Sequence, residues 1–319
     1  MPDTLGTLSA TAKQFYDRLL LSRALPTLYL PKIGQARNIP ENSGNQVSFR
    51  RLNSLAAATT PLVEGITPAA VSLSMTEVTV TAQQYGNYVQ ISDAVNLMGV
   101  DPVLQEATNV LGENGGQSIE EIVKAELVSG TNVIYATGSA RNAQSAANPM
   151  TSALVRRAVR TLAANDSRPF SGSEGENGLG GLFIGYIHPR QWFDLLGDTA
   201  VLNTFQYSDP QRMYTLNLPT FNQVAWIVST RAPLFAGQGS GAADVYGCLI
   251  FGQEAFGYVN MGNSQQPQSG KLNTIVQPLG SAGSADPLSQ RGSVAWKSFQ
   301  APKILNNNFF VRVETGVTA

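Results

Sequence analysis

Few residues in this sequence could carry out catalysis. His188 is the only histidine in 319 residues, which excludes a multi-histidine metal site and means that any Ser-His-Asp arrangement must use it. It lies between a strand pattern and a short helix pattern that starts at Pro189, where a structural imidazole is favoured over a general base. Asp194 and Asp198 are interpreted as solvated acids of that helix. The sequence therefore predicts no catalytic residue, no metal site and a protein that is not an enzyme.

The single cysteine and a glycine-rich stretch also lack the context of a reactive site. Cys248 lies in the apolar run 246–251, so we expect a buried thiol, and a lone cysteine excludes an intrachain disulfide. Four glycines between residues 175 and 181 precede a strand, and no Lys-Ser or Lys-Thr follows them, unlike a phosphate-binding loop. The late aromatic residues alternate as strand residues do, which favours core packing over base stacking. We expect no cofactor.

Composition indicates a folded protein with a weakly charged surface. Apolar residues make up 43% of the chain and charged residues only 13%, about half of the usual share. Such a surface suggests cover by other protein, although a large uncharged monomer is the alternative. A net charge of −1 argues against a protein that wraps nucleic acid tightly, so any contact with DNA should be weak. Neither a secretory signal nor a run of about 18 apolar residues occurs, so we expect no membrane span.

The longest helix pattern runs from Asp101 to Gly130, and we name this segment the spine helix. Asp101 suits the N-cap, Pro102 suits the first helical position, and Gly130 could take the left-handed conformation that ends a helix. At 1.5 Å per residue it should be roughly 40 Å long. Helical spacing places one apolar stripe, Leu104, Ala107, Leu111, Gly115, Ile119 and Ile122, opposite a polar one, Glu106, Glu113, Gln117, Glu120 and Lys124.

The N-terminal segment indicates an arm. A helix predicted from Ala12 to Ala24 is followed by three prolines, and this combination cannot close a core alone. Residues 1–51 contain seven basic and three acidic side chains, a net charge of +4. An ordinary solvated face is the favoured explanation, and an arm beside nucleic acid or an acidic partner is the alternative.

An extended pattern follows between Gln46 and Ile91. Two alternating apolar runs flank a segment with turn-forming residues at positions 56–68, which predicts a long two-stranded projection with an irregular tip. The alternation changes phase after Met75, so we expect a β-bulge near Glu77. Because a hairpin alone is marginally stable in water, another surface should receive it.

The remainder of the chain indicates an α+β fold. A helix predicted over Thr151–Ala164, the short helix after His188, and strands between residues 182 and 259 indicate a compact mixed domain. The last segment returns to long extended runs between residues 272 and 315. These late strands could supply the sheet on which the spine helix lies.

This order of parts is that of the HK97-type major capsid fold. The chain also resembles the N4 gp56-like major capsid proteins of tailed phages over nearly its whole length, through several moderate motifs in the right order. The motifs are Leu62-Val63-Glu64-Gly65, Gln84-Tyr85-Gly86, Ile91-Ser92-Asp93, His188-Pro189 and the run from Asp286 to Lys297.

The resemblance implies a domain division and a structural function. The parts are an N-terminal arm (1–40), an extended loop formed by a β hairpin (41–92), a peripheral domain with the spine helix (93–150), an axial domain (151–265) and return strands of the peripheral domain (266–319). The chain would be a major capsid protein that self-assembles into hexamers and pentamers of an icosahedral shell around phage double-stranded DNA. The alternatives are an encapsulin-like shell around protein cargo and, less favoured, a soluble α/β hydrolase.

The resemblance also implies partners and a location. The main partners would be many copies of the same chain, together with portal, scaffolding and decoration proteins. A separate scaffolding protein is expected because the arm begins so close to Met1. Packaged DNA would be contacted only weakly and without sequence preference. The shell would assemble in the host cytoplasm and form the virion capsid, with no membrane contact.

One departure from some shells of this fold concerns covalent locking. Those shells link a lysine of the extended loop to an asparagine of a neighbour, but residues 41–90 contain no lysine here. Arg50 and Arg51 cannot replace it, because a guanidinium is too basic and too delocalised to act as the nucleophile. We therefore expect a noncovalent shell, with Arg50, Arg51 and the tip residue Glu64 as candidates for ion pairs between subunits.

A second unusual feature is the glycine content of the spine helix. Gly112, Gly115 and Gly116 each cost roughly 1 kcal/mol relative to alanine within a helix. Our hypothesis is that they let the helix bend as the shell expands. Close packing of these glycines on a sheet is the alternative.

Overall fold

The structure is a computed structural model that describes residues 28–39, 44–53, 55–62, 64–65, 67, 69–94, 103–170, 181–201, 220–261, 272–277, 288 and 290–318. The helix predicted between Ala12 and Ala24 and the cap predicted at Asp101 and Pro102 lie outside these residues. The helices are α1 Leu30–Ile33, α2 Val103–Val128, α3 Ser152–Ala164 and α4 Pro189–Leu196. The strands are β1 Gln35–Ile39, β2 Gln46–Leu52, β3 Met75–Thr81, β4 Gln83–Ser92, β5 Val133–Tyr135, β6 Phe183–Ile187, β7 Thr220–Phe221, β8 Val224–Val228, β9 Leu234–Phe235, β10 Val245–Phe251, β11 Phe256–Met261, β12 Asn273–Gln277, β13 Arg291–Ile304 and β14 Phe310–Thr315.

The spine helix, α2, lies on a five-stranded sheet. Strand β13 pairs antiparallel with β4, β11 and β12, and β1 adds to β11 in parallel. On the helix side, Ile119 and Leu127 share a buried cluster with Leu272, Val294 and Trp296 of the sheet region. The late strands thus supply the sheet beneath the helix, as the sequence predicts.

The helix ends at Val128, two residues before the predicted stop. Gly130 does not take the left-handed conformation that we expected of it. Glycine is required there for another reason, because a Cβ would collide with the ring of Phe310 in β14. The residue is therefore selected by close packing between the helix end and a distant strand.

One polar residue of the spine helix is not on the solvent side where the sequence predicts it. Glu120 was expected on the solvent side, but it is completely buried. The chain around Leu28 and Leu30 covers this second side of the helix and joins the same apolar cluster. The helix therefore contacts two layers, whereas the sequence pattern accounted for only one.

A second, seven-stranded sheet stands next to the first. Its order is β5-β14-β10-β6-β8-β7, with β9 paired to β10. Every residue of the central strand β10 is buried, including Cys248, so the predicted buried thiol is confirmed. Helices α3 and α4 cover one face, where Val155 and Leu195 join a cluster with Ile250. Both helices occur within one residue of their predicted starts.

Strands β2 and β3 form a separate two-stranded hairpin. Their antiparallel register is continuous from Gln46 opposite Thr81 to Leu52 opposite Met75, so the β-bulge predicted near Glu77 is wrong. The phase change has a simpler origin. Strand β3 begins only at Met75, and the alternation at Val71 and Leu73 belongs to the connecting segment rather than to the strand.

Strand pairing in the two sheets departs from the expected domain division at five strands. Strand β4 of the expected extended loop and β11 of the expected axial domain lie in the first sheet, and β5 of the expected peripheral domain lies in the second. Strands β1 and β14 are the other two. Residues 35–39 were assigned to the arm, but they form a strand of the first sheet. Residues 310–315 were assigned to the return strands of the peripheral domain, but they lie beside β10 in the second sheet. Backbone pairing across long sequence separations decides all five positions, and local patterns carry no information about it.

Within the described residues, no helix is both long enough and apolar enough to cross a bilayer.

Candidate assembly surfaces

The hairpin exposes six large apolar side chains along one segment of the chain. Leu62 is 78% exposed, and the segment between the strands is exposed at every residue whose environment is described, apart from Asn53. The chain positions this segment through the hairpin ladder, which continues past the strands because the Asn53 N–H donates to Ser74 O at 3.0 Å. The exposed large apolar residues are Leu52, Leu55, Leu62, Val71, Leu73 and Met75. Several exposed large apolar side chains along one segment are typical of a contact with another protein.

The predicted contact residues occupy the two ends of this hairpin. Glu64 lies in an exposed turn at the tip, beside Gly65, whose φ of 81° is readily taken by glycine. Arg50 and Arg51 lie on β2 near the main body and are exposed. Arg50 already has a partner within the hairpin, because its Nε lies 3.7 Å from Oε1 of Glu77. The structure therefore does not bring Glu64 together with the two arginines within one copy.

The root of the hairpin is anchored by an aromatic ring. Phe49 is buried against the first sheet, and a Cβ on Gly257 of β11 would lie 2.5 Å from its Cζ atom. The guanidinium of Arg37 lies 5.3 Å from the centre of the same ring, within the range of a cation–π contact. Glycine at position 257 allows this close approach, so the root is held firmly while the tip is left exposed.

The three spine-helix glycines are all buried within one continuous helix. A Cβ on Gly115 would lie 3.1 Å from a methyl carbon of Leu272 and 3.4 Å from the indole of Trp296. This close approach supports the packing alternative at Gly115. Gly112, Gly116 and Glu120 follow one another at intervals of four residues, so they form a stripe adjacent to Gly115 on the helix surface.

Glu120 lies where three parts of the fold meet. Its carboxylate accepts hydrogen bonds from the backbone N–H of Tyr29 at 3.1 Å and of Leu30 at 3.1 Å, which ties the chain before β1 to the spine helix. The hydroxyl of Tyr186, in the second sheet, bonds to Ser229 at 3.1 Å and also interacts with this carboxylate. Burial raises the pKa of Glu120 to about 7 in spite of these hydrogen bonds, which lower it.

A second buried carboxylate, Glu314 of β14, has charged partners instead. Arg141 forms a two-pronged contact with it, from Nε to Oε2 and from Nη2 to Oε1, each at 2.7 Å. Arg312 donates from its Nε to Oε1, also at 2.7 Å. The Arg141 guanidinium stacks at 3.5 Å over the ring of Phe235. This cluster fastens the loop after β5 to the centre of the second sheet.

His188 has a structural role in the fold. Its Nδ1 accepts a hydrogen bond from the backbone N–H of Arg190 and thereby caps α4, and its ring lies 4.7 Å from that of Tyr246. Burial lowers its pKa. Asp194 bonds to Thr318, and Asp198 accepts a bond from the N–H of Ser152, so neither acid orients the imidazole. Among the residues that the structure describes, no group of three metal-binding side chains comes together.

Sequence reasoning missed both carboxylate clusters. A signal for Glu120 does exist, because it lies on the same helical stripe as Gly116, Val123 and Leu127, all of which are buried. For Glu314 there was no local signal, since its partner Arg141 is 173 positions away in the chain.

Comparison with known proteins identifies relatives in sequence and in structure. The profile of a family described as phage capsid protein matches residues 76–308. The fold is similar to that of the cyanophage Pam1 capsid protein, with a TM-score of 0.70 and 16% identity over 94% of this chain and 93% of the other. The Ralstonia phage GP4 capsid gives 0.66 and 12%, covering 92% of each chain, and the cyanophage P-SCSP1u capsid gives 0.66 and 13%, covering 91% and 88%. A sequence search of curated proteins finds no match.

Proposed function

Because this chain belongs to the phage capsid protein family, we propose that its copies assemble through the hairpin into the hexamers and pentamers of an icosahedral shell that encloses double-stranded DNA. The observation that carries the proposal is the exposed apolar hairpin, which no other described residue of its own copy covers. Such a segment is unfavourable in an isolated monomer but is buried when each copy offers a hairpin and receives one. Head-to-tail contacts of this kind close into rings.

The receiving surface has a candidate on the first sheet. Tyr88, Ala295 and Ile275 stand opposite one another on neighbouring strands, so they point to the same face. This face is opposite to the side that packs on the spine helix. Tyr88 and Ile275 are exposed, and both could be covered by the apolar residues of a neighbouring hairpin.

The experiment that tests assembly is sedimentation and electron microscopy of the purified chain. Leu62→Ser with Leu73→Ser should leave the fold intact, because both side chains are exposed, but should suppress particle formation. Thr59→Ser with Ser72→Ala removes one methyl group and one hydroxyl from the same segment but keeps all of its large apolar side chains, and should assemble normally. Monodisperse monomers of the unmodified chain under all conditions would refute the proposal.

The contents of the particles distinguish phage heads from cargo shells. We propose that particles from infected cells contain double-stranded DNA, which portal and scaffolding proteins help to package. A defined enzyme inside nuclease-treated particles, without nucleic acid, would favour the cargo alternative. The hydrolase alternative predicts loss of activity in His188→Ala. A shell protein should show effects only on packing and on the cap of α4, because no acid among the described residues orients this imidazole.

The shell is proposed to be noncovalent. The hairpin region lacks a lysine, so no amine is present there to attack a neighbour. Mature particles should therefore give a single band of about the chain mass on a denaturing gel. A ladder of linked subunits would contradict this.

Bending of the spine helix remains a proposal with a direct test. Gly115→Ala with Gly116→Ala should stiffen the helix and slow expansion of the shell more than it affects folding. Gly115→Ala alone must also displace Leu272, so the single variants separate stiffening from steric effects. Normal expansion of the double variant would favour the packing alternative.

A further inference from the structure

The hairpin root contains a cavity with a surplus of positive charge. It measures about 90 Å³, several times the space that one water molecule needs. Its lining includes three arginines, Arg37, Arg50 and Arg51, and among the described lining residues Glu254 is the only acidic one. Phe49 forms part of its apolar wall. Ionic contacts are stronger beside an apolar wall than in open water.

Two of these arginines have no acidic partner among the described residues. Arg50 is paired with Glu77, and Arg37 lies over the ring of Phe49. In the part of the chain that the structure describes, no carboxylate lies within 4.0 Å of Arg37 or Arg51. The cavity is thus able to accept one more anionic group.

The hairpin tip carries the matching charge. Glu64 is the only charged residue between Leu52 and Thr76. It is exposed in its turn next to the exposed Leu62, and it forms no ion pair with any described residue of its own copy. An isolated acid in a long neutral segment specifies one position in a contact, because it favours only a surface with a cation at that place.

The length of the hairpin suits a contact between neighbouring copies. The residues from Arg51 to Glu64 can span at most about 45 Å when extended. A compact chain of this size has a radius of gyration of about 20 Å, so two touching copies have centres about 50 Å apart. The reach of the hairpin is therefore comparable to the spacing between neighbouring copies.

We propose that the cavity at the hairpin root receives the hairpin tip of a second copy, with the Glu64 carboxylate between the guanidinium groups of Arg37 and Arg51. This inference rests on the proposed assembly function and specifies one of its contacts. It makes every copy both donor and acceptor, so the contact repeats around a closed ring.

Charge reversal is the test. Arg51→Glu and Glu64→Arg should each raise the protein concentration needed for particle formation by about tenfold, because like charges then face each other. The double variant restores an opposite pair between positions 51 and 64 but leaves the new guanidinium beside Arg37, so it should assemble at a lower concentration than either single variant, although not at the original one. Arg156→Glu, on the exposed face of α3, is the matched control and should change little. Circular dichroism should show that all of these variants are folded, since the side chains are exposed.

A cross-link provides a second measurement that depends only on proximity. Cysteine is placed at both positions, by Glu64→Cys and Arg51→Cys, and assembled particles are treated with a short bis-maleimide. Cys248 is completely buried, and burial raises the pKa of its thiol, so it should not react. Linked subunits should form a ladder on a denaturing gel. Glu64→Cys with Arg156→Cys should give no ladder.

The outcomes separate this inference from the proposed function. If the unmodified chain forms particles but the reversed variants assemble equally well and no ladder appears, the contact is wrong and the assembly function stands. If Arg51→Glu leaves assembly unchanged but abolishes retention of a double-stranded DNA fragment by the particles, the arginines face nucleic acid and the inference is overturned. If the unmodified chain never assembles, both proposals fail.

Discussion

Glu120 and Glu314 are equally buried, yet the fold surrounds them in opposite ways. Both side chains are 0% exposed. Glu314 is held by two guanidinium groups, with three nitrogen–oxygen distances of 2.7 Å. Glu120 accepts hydrogen bonds from the backbone amides of Tyr29 and Leu30 and interacts with the Tyr186 hydroxyl, which donates to Ser229, and in the described residues no cation lies within 4.0 Å of it.

The two carboxylates therefore differ in whether their contribution to stability depends on pH. A buried carboxylate with cationic partners is strongly destabilising only when one partner is removed. A buried carboxylate with neutral partners remains costly in its charged form, so its contribution depends on pH. Glu314 lies inside the second sheet. Glu120 lies where the N-terminal chain meets the spine helix, so the stability of this junction should depend on pH.

The largest expected effect comes from removing the charge of Glu314. Glu314→Gln leaves the guanidinium of Arg312 buried without a carboxylate, and the free energy of unfolding should fall by about 4 kcal/mol. Chemical denaturation of the unassembled chain measures this. Glu106→Gln, at an exposed position of the spine helix, should cost less than about 0.5 kcal/mol. A similar decrease in the free energy of unfolding for the two variants would show that the Glu314 cluster contributes little to stability.

The next effect is the pH dependence that Glu120 introduces. Its folded pKa of about 7 lies above the ordinary value of 4.5, so its contribution to stability is complete below pH 4.5 and is lost as the pH rises to 7. The loss corresponds to about 3 kcal/mol. Glu120→Gln removes the titration, so the variant should gain stability relative to the original chain between these pH values. If the difference in the free energy of unfolding between Glu120→Gln and the original chain were the same at pH 4.5 and at pH 8, this prediction would be wrong.

A smaller effect should follow from changing the shape of the cation beside Glu314. Arg141→Lys retains the charge but loses the two-pronged contact and the stacking on Phe235, at a cost of about 1.5 kcal/mol. Because Glu120 is untouched, this cost should be the same at pH 5 and pH 8. Thermal unfolding at both pH values measures it, and a cost that changed with pH would couple the two clusters.

The smallest effect concerns the neutral hydroxyl beside Glu120. Tyr186→Phe removes a hydroxyl that bonds to Ser229 and interacts with Glu120, which should cost about 1 kcal/mol. That interaction lowers the pKa of Glu120, so its loss should move the upper end of the pH-dependent range above 7. Nuclear magnetic resonance titration of labelled glutamate carboxyl groups would measure the shift. An unchanged pKa would mean that the backbone amides alone stabilise the charge.

The comparison also shows how far sequence reasoning reached. Element order and the helices α3 and α4 follow from local periodicity and from the Pro189 start signal, and the buried Cys248 follows from the apolar run around it. Local periodicity places a helix on one sheet, but it does not reveal a second layer. Glu120 was therefore placed in solvent, although the chain near Leu30, 90 positions earlier, covers it. Gly130 was interpreted as a helix stop for the same reason, since its contact with Phe310 is distant in sequence.

The hairpin illustrates a different limit. Its existence, its root arginines and Glu64 at its tip could be found in the sequence, because turn residues and alternation are local. The sequence does not reveal that Glu64 and the root arginines are far apart within one copy, because this separation depends on where the strands end. The root cavity also needs the loops beside β11 and β13, which local patterns do not bring together.

The ladder between β4 and β13 has a mechanical consequence. Ten residue positions of β4 pair in unbroken register with β13, and β11 and β12 hold the opposite edge of that strand. A pull along the strands loads all of these hydrogen bonds together, whereas a pull across them would open the bonds one after another. If internal pressure stretches a shell, a subunit whose strand β13 lies along the direction of tension would resist with all of these hydrogen bonds at once.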